Sequence, residues 1–192
     1  MEDISNLAKF HKLKVLEDCS QAHGAKIDQI NVGNFGDVAT WSFCQDKIIS
    51  TGGEGGMLTT NNDEIYKYVL SYKDHGKNFD LLNKSNNKIG FKWVHESIGT
   101  NFRLTEIQSA IGRNQIKKMD DWNRLRERNA QILFKNLCDI PLLRIPLPRK
   151  SINHAWYRFY CYLKPQYLLS DWTRERIMGE IKKLGVDVFS GT

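Results

Sequence analysis

Two hydrophobic periods alternate along this chain, and the changes of period divide it into elements. In "DISNLAKFHK" the apolar residues Ile4, Leu7, Ala8 and Phe10 recur near one face, which predicts a helix. "LKVLE" then reads as a buried strand, "DVATWSF" as a second and "GGMLTT" as a third. The strands around Val15, Ala39 and Leu58 read as buried on both faces. Asn61, with Glu64 three residues on, predicts a helix start into "EIYKYVLSYK". Residues 76–98 are rich in Gly, Asn, Lys and Ser with few apolar anchors, and read as a long loop.

A capping-box pattern follows at Thr105 and Gln108, opening a long helical stretch. Its apolar stripe runs from Ile107 through Trp122 to Leu137 and weakens between Asn114 and Lys118, which predicts either a bend there or that face presented to another element. From Pro141 the texture changes. "PLLRIPLPRK" holds three of the four prolines and reads as a hinge-like connector. "HAWYRFYCYL" alternates like a strand, and "SDWTRERIMGEIKKLG" reads as a helix with a glycine stop. This order predicts an α/β layer, a long connecting helix and the start of a smaller α+β unit.

Composition narrows the function classes. With 41% hydrophobic and 11% aromatic residues, the chain has the make-up of a globular protein. No apolar run approaches the roughly 20 residues a bilayer requires, and the acidic, amphipathic start lacks the order of a signal peptide. Cys19, Cys44, Cys138 and Cys161 are dispersed, without metal spacing, which predicts a reduced, cytoplasmic protein with no structural metal. The net charge of +6 is interleaved with acid, as in "KKMDDWNRLRERNA". That pattern marks a solvated helix face, and no nucleic-acid motif accompanies it.

The candidate chemistry centres on "SFCQDKIISTGGEGGMLTT". A P-loop carries its lysine after the glycines and before a helix, and a Rossmann fingerprint also needs a helix after its glycines. Here Lys47 precedes Gly52, Gly53, Gly55 and Gly56, and a strand follows, so neither applies. A lysine that forms a Schiff base needs a free amine on a short turn beside residues small enough to admit a flat cofactor ring. Ser42, at the end of its strand, offers a hydroxyl suited to a phosphate oxygen. Asp18, after the first strand, could keep a pyridine nitrogen protonated, and Gln21 could reach a phenolic oxygen. Taken singly these residues have plain readings: a surface lysine, turn caps at Asp18 and Gln21, a turn hydrogen bond at Ser42, and a structural turn residue at His23. Their order and spacing favour the cofactor site.

In that order, "EDCSQAHGA", "GDVATWSFCQDKIISTGGEGGMLTT", "YKDHGK" and "GTNFRLTEIQSAIGRNQIKKMDD" resemble the pyridoxal-phosphate-dependent sugar aminotransferases of the DegT/DnrJ/StrS group. The resemblance implies a type I aminotransferase fold, with residues 1–140 in the large cofactor domain and residues 141–192 starting the small C-terminal domain. It implies pyridoxal 5'-phosphate bound as a Schiff base on Lys47, Asp18 at the pyridine nitrogen, Gln21 at the phenolic oxygen and Ser42 at the phosphate. Asn101, in "GTNFR", matches the asparagine that reaches the phosphate in the neighbouring subunit, so the resemblance also implies a homodimer with shared sites. The activity implied is amino transfer, from glutamate, to a keto group on a nucleotide-linked sugar. Related dehydratases resemble a version with histidine at the lysine position, and a non-catalytic or regulatory fragment of the fold is a further reading. Family members are longer at both ends, so the chain is expected to be an internal piece of such an enzyme.

Overall fold

The computed structural model describes residues 1–83 and 94–191. Helix α1 (Glu2–Phe10) leads into strand β1 (Leu16–Asp18), which pairs in parallel with β4 (Val38–Ser42). β5 (Gly56–Thr60) closes the other side of β4 in antiparallel register, giving the order β1-β4-β5. Ala39, on the central strand, is fully buried, while Val15 and Leu58 are half-buried and Leu16 and Met57 are exposed. Burial on both faces therefore holds at the centre of this sheet and not at its flanks. The apolar face of α1 forms as expected, but only Ala8 on it is buried.

The parallel pair is tied together by acids. Glu17, the middle residue of β1, accepts backbone hydrogen bonds from Gly33 (2.8 Å), Phe35 (2.7 Å) and Gly36 (2.7 Å), folding the loop before β4 onto the strand. Asp37 accepts from the Val15 N–H at 2.9 Å and pairs with Lys14 at 2.8 Å. Between the two strands lies a hairpin, β2 (Lys26–Ile27) and β3 (Ile30–Asn31). Its turn residues Asp28 and Gln29 both have positive φ, as a two-residue type I′ turn requires. β7 (Ile152–Asn153) pairs with the other edge of β2.

Helix α2 (Asp63–Tyr72) begins one residue later than its sequence signature suggested. The Asn62 side chain, rather than that of Asn61, accepts from the N–H groups of Glu64 and Ile65. The stretch 76–98, expected to be a loop, contains a short helix, α3 (Phe79–Asn83), opened by Asn78, whose side chain accepts from Asp80 and Leu81. Residues 84–93 of that stretch lie outside the described residues. Its two flanks clasp each other through Asn78 N–H to Val94 O (2.6 Å), Glu96 N–H to Gly76 O (3.0 Å) and His75 N–H to Thr100 O (3.1 Å).

The capping box at Thr105 and Gln108 forms as the sequence predicts, and the long helical stretch divides into α4 (Glu106–Ile116) and α5 (Met119–Leu137) at the weak point of its stripe. Beyond the prolines, β6 (Leu143–Arg144) pairs with β8 (Tyr162–Leu163), and α6 (Arg174–Lys183) runs from its Thr173 cap to Gly185. The strand expected over "HAWYRFYCYL" is confined to Tyr162 and Leu163. Trp156 takes a positive φ of 46°, so the backbone turns there instead of extending. That turn buries the indole, which donates to Glu127 of α5.

Candidate active site around Lys47

β1 and β4 end side by side, with Asp18 in register with Thr40, and the chain beyond each strand end carries the candidate residues. Asp18 closes β1 and is exposed. The Ser20 hydroxyl and its N–H (3.0 Å) both donate to one carboxylate oxygen, holding the Asp18 carboxyl below the ordinary range, and the nearby positive charge of Lys47 acts in the same direction. Ser42 closes β4. Its Oγ accepts from the Cys44 N–H at 3.3 Å, and its own proton remains available to donate.

Lys47 follows on a turn in which its N–H bonds Cys44 O at 3.0 Å, with its side chain 15% exposed. Its neighbours Ile48 and Ile49 are buried, and Ile48 joins Ala25 and Ala155 in a small core cluster. That cluster ties the lysine turn to both the "QAHGA" turn and the "HAWY" segment. Helix α4 holds the loop from the other side: Gln115 Oε1 accepts from the Ser50 N–H (2.7 Å), and Gln108 Nε2 donates to Glu54 O (2.7 Å). The glycines serve this closure more than ligand access. A Cβ at Gly55 would meet Thr51 Oγ1 at 2.4 Å, whereas one at Gly53 would meet nothing within 4 Å. Of the four glycines after Lys47, only Gly53 opens onto free space.

Burial draws the Lys47 amine down, but the Tyr157 hydroxyl and the Asp46 carboxylate more than offset it, so its pKa is raised. His23, read from sequence as a turn residue, is 3% exposed, with neither ring nitrogen hydrogen-bonded to another described residue. Its ring lies 5.5 Å from that of Trp41 and 6.0 Å from that of Phe43. Burial pushes its pKa down, and the charge of Lys47 adds to the effect while the Ser42 carbonyl opposes it.

Asp18, Ser42, His23 and Lys47 thus share one region. Gln21 lies exposed in the turn after β1. Asn101 stands apart: its backbone bridges to Asp74, its Oδ1 accepts from Arg103 Nε at 3.0 Å, and among the described residues no hydrogen bond or ion pair joins it to Lys47, Asp18 or Ser42. The sequence reading missed Asp46, Tyr157 and Arg158 as site neighbours. The available signal was the dense aromatic and basic run "HAWYRFY" after a connector.

The match to a family model, over residues 1–189, is to the DegT/DnrJ/EryC1/StrS aminotransferase family. The chain belongs to that family. The aminotransferase from Psychrobacter cryohalolentis superposes with a TM-score of 0.91 at 42% identity, over 99% of this chain and 50% of that one. GDP-perosamine synthase of Escherichia coli O157:H7 is 36% identical over 157 residues, 82% of this chain and 40% of its own length. The E. coli GDP-4-keto-6-deoxy-D-mannose-3-dehydratase, solved with bound hydrated PLP, matches with a TM-score of 0.80 at 26% identity, over 97% of this chain and 48% of that one. The chain spans about half the length of these relatives. Its fold is that of the type I aminotransferases.

Proposed function

We propose that this chain carries the lysine side of a pyridoxal 5'-phosphate site, in an enzyme that transfers an amino group, from glutamate, to a keto group of a nucleotide-linked sugar in amino-sugar or polysaccharide biosynthesis. The observation that carries this reading is the meeting of Lys47 and Asp18 at the ends of the parallel β1–β4 pair, close enough for one charge to act on the other, in a chain of this family.

The residues fit the group. Lys47 supplies a sheltered amine for covalent anchorage. Asp18 supplies a carboxylate that stays ionised and suits a protonated ring nitrogen, Gln21 an amide for the phenolic oxygen, and Ser42 a donor for the phosphate. Asn101 would serve the phosphate from a second copy of the chain, which agrees with the absence, among the described residues, of any hydrogen bond between it and its own Lys47. When bound, pyridoxal phosphate supplies the electron sink for moving an amino group between carbon skeletons. Lys47 Nζ holds the ring in place and, once released, is the base positioned to take and return a proton. Asp18 keeps the positive charge on the ring nitrogen.

Lysine at position 47 favours amino transfer over the dehydration performed by the E. coli relative, since that branch resembles a version with histidine there. We further infer a homodimer with shared sites, residues 1–140 in the large domain and 141–192 starting the small one. The four free cysteines among the described residues suit a reducing cytoplasm. Borohydride reduction of the protein loaded with pyridoxal phosphate tests the central assignment. The label is expected on one peptide containing Lys47; a label on another lysine overturns it.

A further inference from the structure

Three side chains beside Lys47 have no part in the function just proposed, and they come from opposite ends of the chain. Asp46 precedes the lysine, whereas Tyr157 and Arg158 lie beyond the proline-rich connector. The Tyr157 hydroxyl donates to Asp46 Oδ2, and Arg158 reaches the Tyr157 oxygen at 3.3 Å and Asp46 at 3.5 Å. Lys47 Nζ stands 3.5 Å from Asp46 Oδ1 and 5.0 Å from the centre of the Tyr157 ring. The phenol is itself anchored. Its ring packs on the Ala25, Ile48 and Ala155 cluster, and Arg126 of α5 donates to the Trp156 carbonyl (3.2 Å) and the Tyr157 carbonyl (3.4 Å).

We propose that Tyr157 is a positioning residue for Lys47, forming with Asp46 a berth that holds the lysine amine in the cofactor-free protein. The proposal rests on the reading of Lys47 as the anchor. A lysine carries a compact charge on a flexible four-carbon stem, and releasing it from a covalent bond would free that stem to sample many rotamers. A carboxylate on one side and an aromatic face on the other offer its ammonium two matched contacts. Because Asp46 lies in the lysine loop and Tyr157 beyond the connector, the berth exists only while these two segments are docked. The berth links the seating of the C-terminal segment to the position of the reactive amine.

The groups facing Lys47 agree on the protonation state held there. Asp46 and Tyr157 favour the ammonium, as does Asp18 at the end of β1. His23 is held neutral by burial and Glu54 is engaged with the Cys44 thiol at 3.3 Å. Arg158 is the opposing cation, and it is spent on Tyr157 and Asp46.

The test is competitive acetylation of the cofactor-free protein with isotopically labelled acetic anhydride between pH 7 and 11, with lysine peptides quantified by mass spectrometry. Lys150, which is exposed, serves as the internal control. In the parent protein the Lys47 midpoint is expected above the ordinary lysine value of 10.5. It is expected to move down in Tyr157→Leu, which removes the aromatic face, and in Asp46→Asn, while Lys150 stays unchanged. Asp46→Glu, which restores the charge, is expected to recover part of the shift. An unchanged Lys47 midpoint in folded Tyr157→Leu overturns the berth, and if that variant fails to fold, an unchanged midpoint in Asp46→Asn does so. Borohydride labelling separates the two ideas: label away from Lys47 defeats the anchor assignment, whereas label on Lys47 with unmoved midpoints defeats the berth alone.

Discussion

Glu17 and Asp18 are neighbouring acids on one short strand, and the same isosteric change should damage the protein in opposite ways at the two positions. Glu17 is 9% exposed and receives three backbone N–H groups, two on Oε1 from Phe35 and Gly36 and one on Oε2 from Gly33. Glu17→Gln leaves one oxygen. If that oxygen keeps Phe35 and Gly36, the new amide NH2 faces the Gly33 N–H, so one bond is lost and the other two lose their charge assistance. A hydrogen bond to a charged group is worth roughly 1.5–3 kcal/mol, about twice a neutral one. One full loss and two half losses amount to about 3–6 kcal/mol, a large part of the 5–15 kcal/mol typical of a domain. Asp18 is exposed and, among the described residues, its side chain bonds only to Ser20 two residues away, so Asp18→Asn should cost less than about 1 kcal/mol of stability. Its loss should fall on turnover, by several kcal/mol of transition-state stabilisation, as for other preorganised electrostatic groups. Urea unfolding followed by tryptophan fluorescence measures the first effect and steady-state transamination the second. Equal destabilisation by the two variants, or a Glu17→Gln change within 1 kcal/mol of the parent, would refute the division of labour between the two acids.

Three further outcomes follow from the geometry. His23 has a lowered pKa because it is buried, so the unfolded chain takes up a proton that the folded protein refuses; stability should be complete above pH 6.5 and decline as pH falls below it. Urea midpoints at pH 7.5, 6.5 and 5.5 should show this decline in the parent and a smaller one in His23→Phe. Gly76 has a φ of +70°, and a Cβ there would lie 1.7 Å from the Ser97 carbonyl oxygen, so Gly76→Ala should spring the clasp that leads to Asn101 and raise proteolysis between residues 72 and 101. Mixing Lys47→Ala and Asn101→Ala chains should restore one working site per heterodimer, since both lesions fall in the other site; demonstrated heterodimers without recovered activity would exclude a shared phosphate site.

Much of this protein is legible without its structure wherever the information is local. The capping box at Thr105 and Gln108, the break before Met119 and the Thr173-to-Gly185 helix are set by hydrogen bonds and side-chain periodicity within a few residues, and they form where the sequence predicts them. Family membership was legible too, because a strand–Asp-x-x-Gln and strand–Ser-x4-Lys order is itself a local spacing. The larger misjudgements depend on distant partners. Trp156 interrupts an alternating run because Glu127 on α5 accepts its indole N–H, whereas the shift of the α2 cap from Asn61 to Asn62 is a one-residue local difference. All four glycines read as room for a ligand, but a Cβ at Gly52, Gly55 or Gly56 would meet the Ile111 side chain, the Thr51 hydroxyl or the Trp41 carbonyl, and of the four only Gly53 is left open. The surroundings of Lys47 were least legible of all. Asp46 and Tyr157 stand 111 residues apart, and only the packing of Ile48 against Ala25 and Ala155 brings a carboxylate and a phenol to the same amine. Sequence spacing singles out Lys47 as the proposed anchor, whereas the field that sets its protonation is the sum over neighbours that tertiary packing selects.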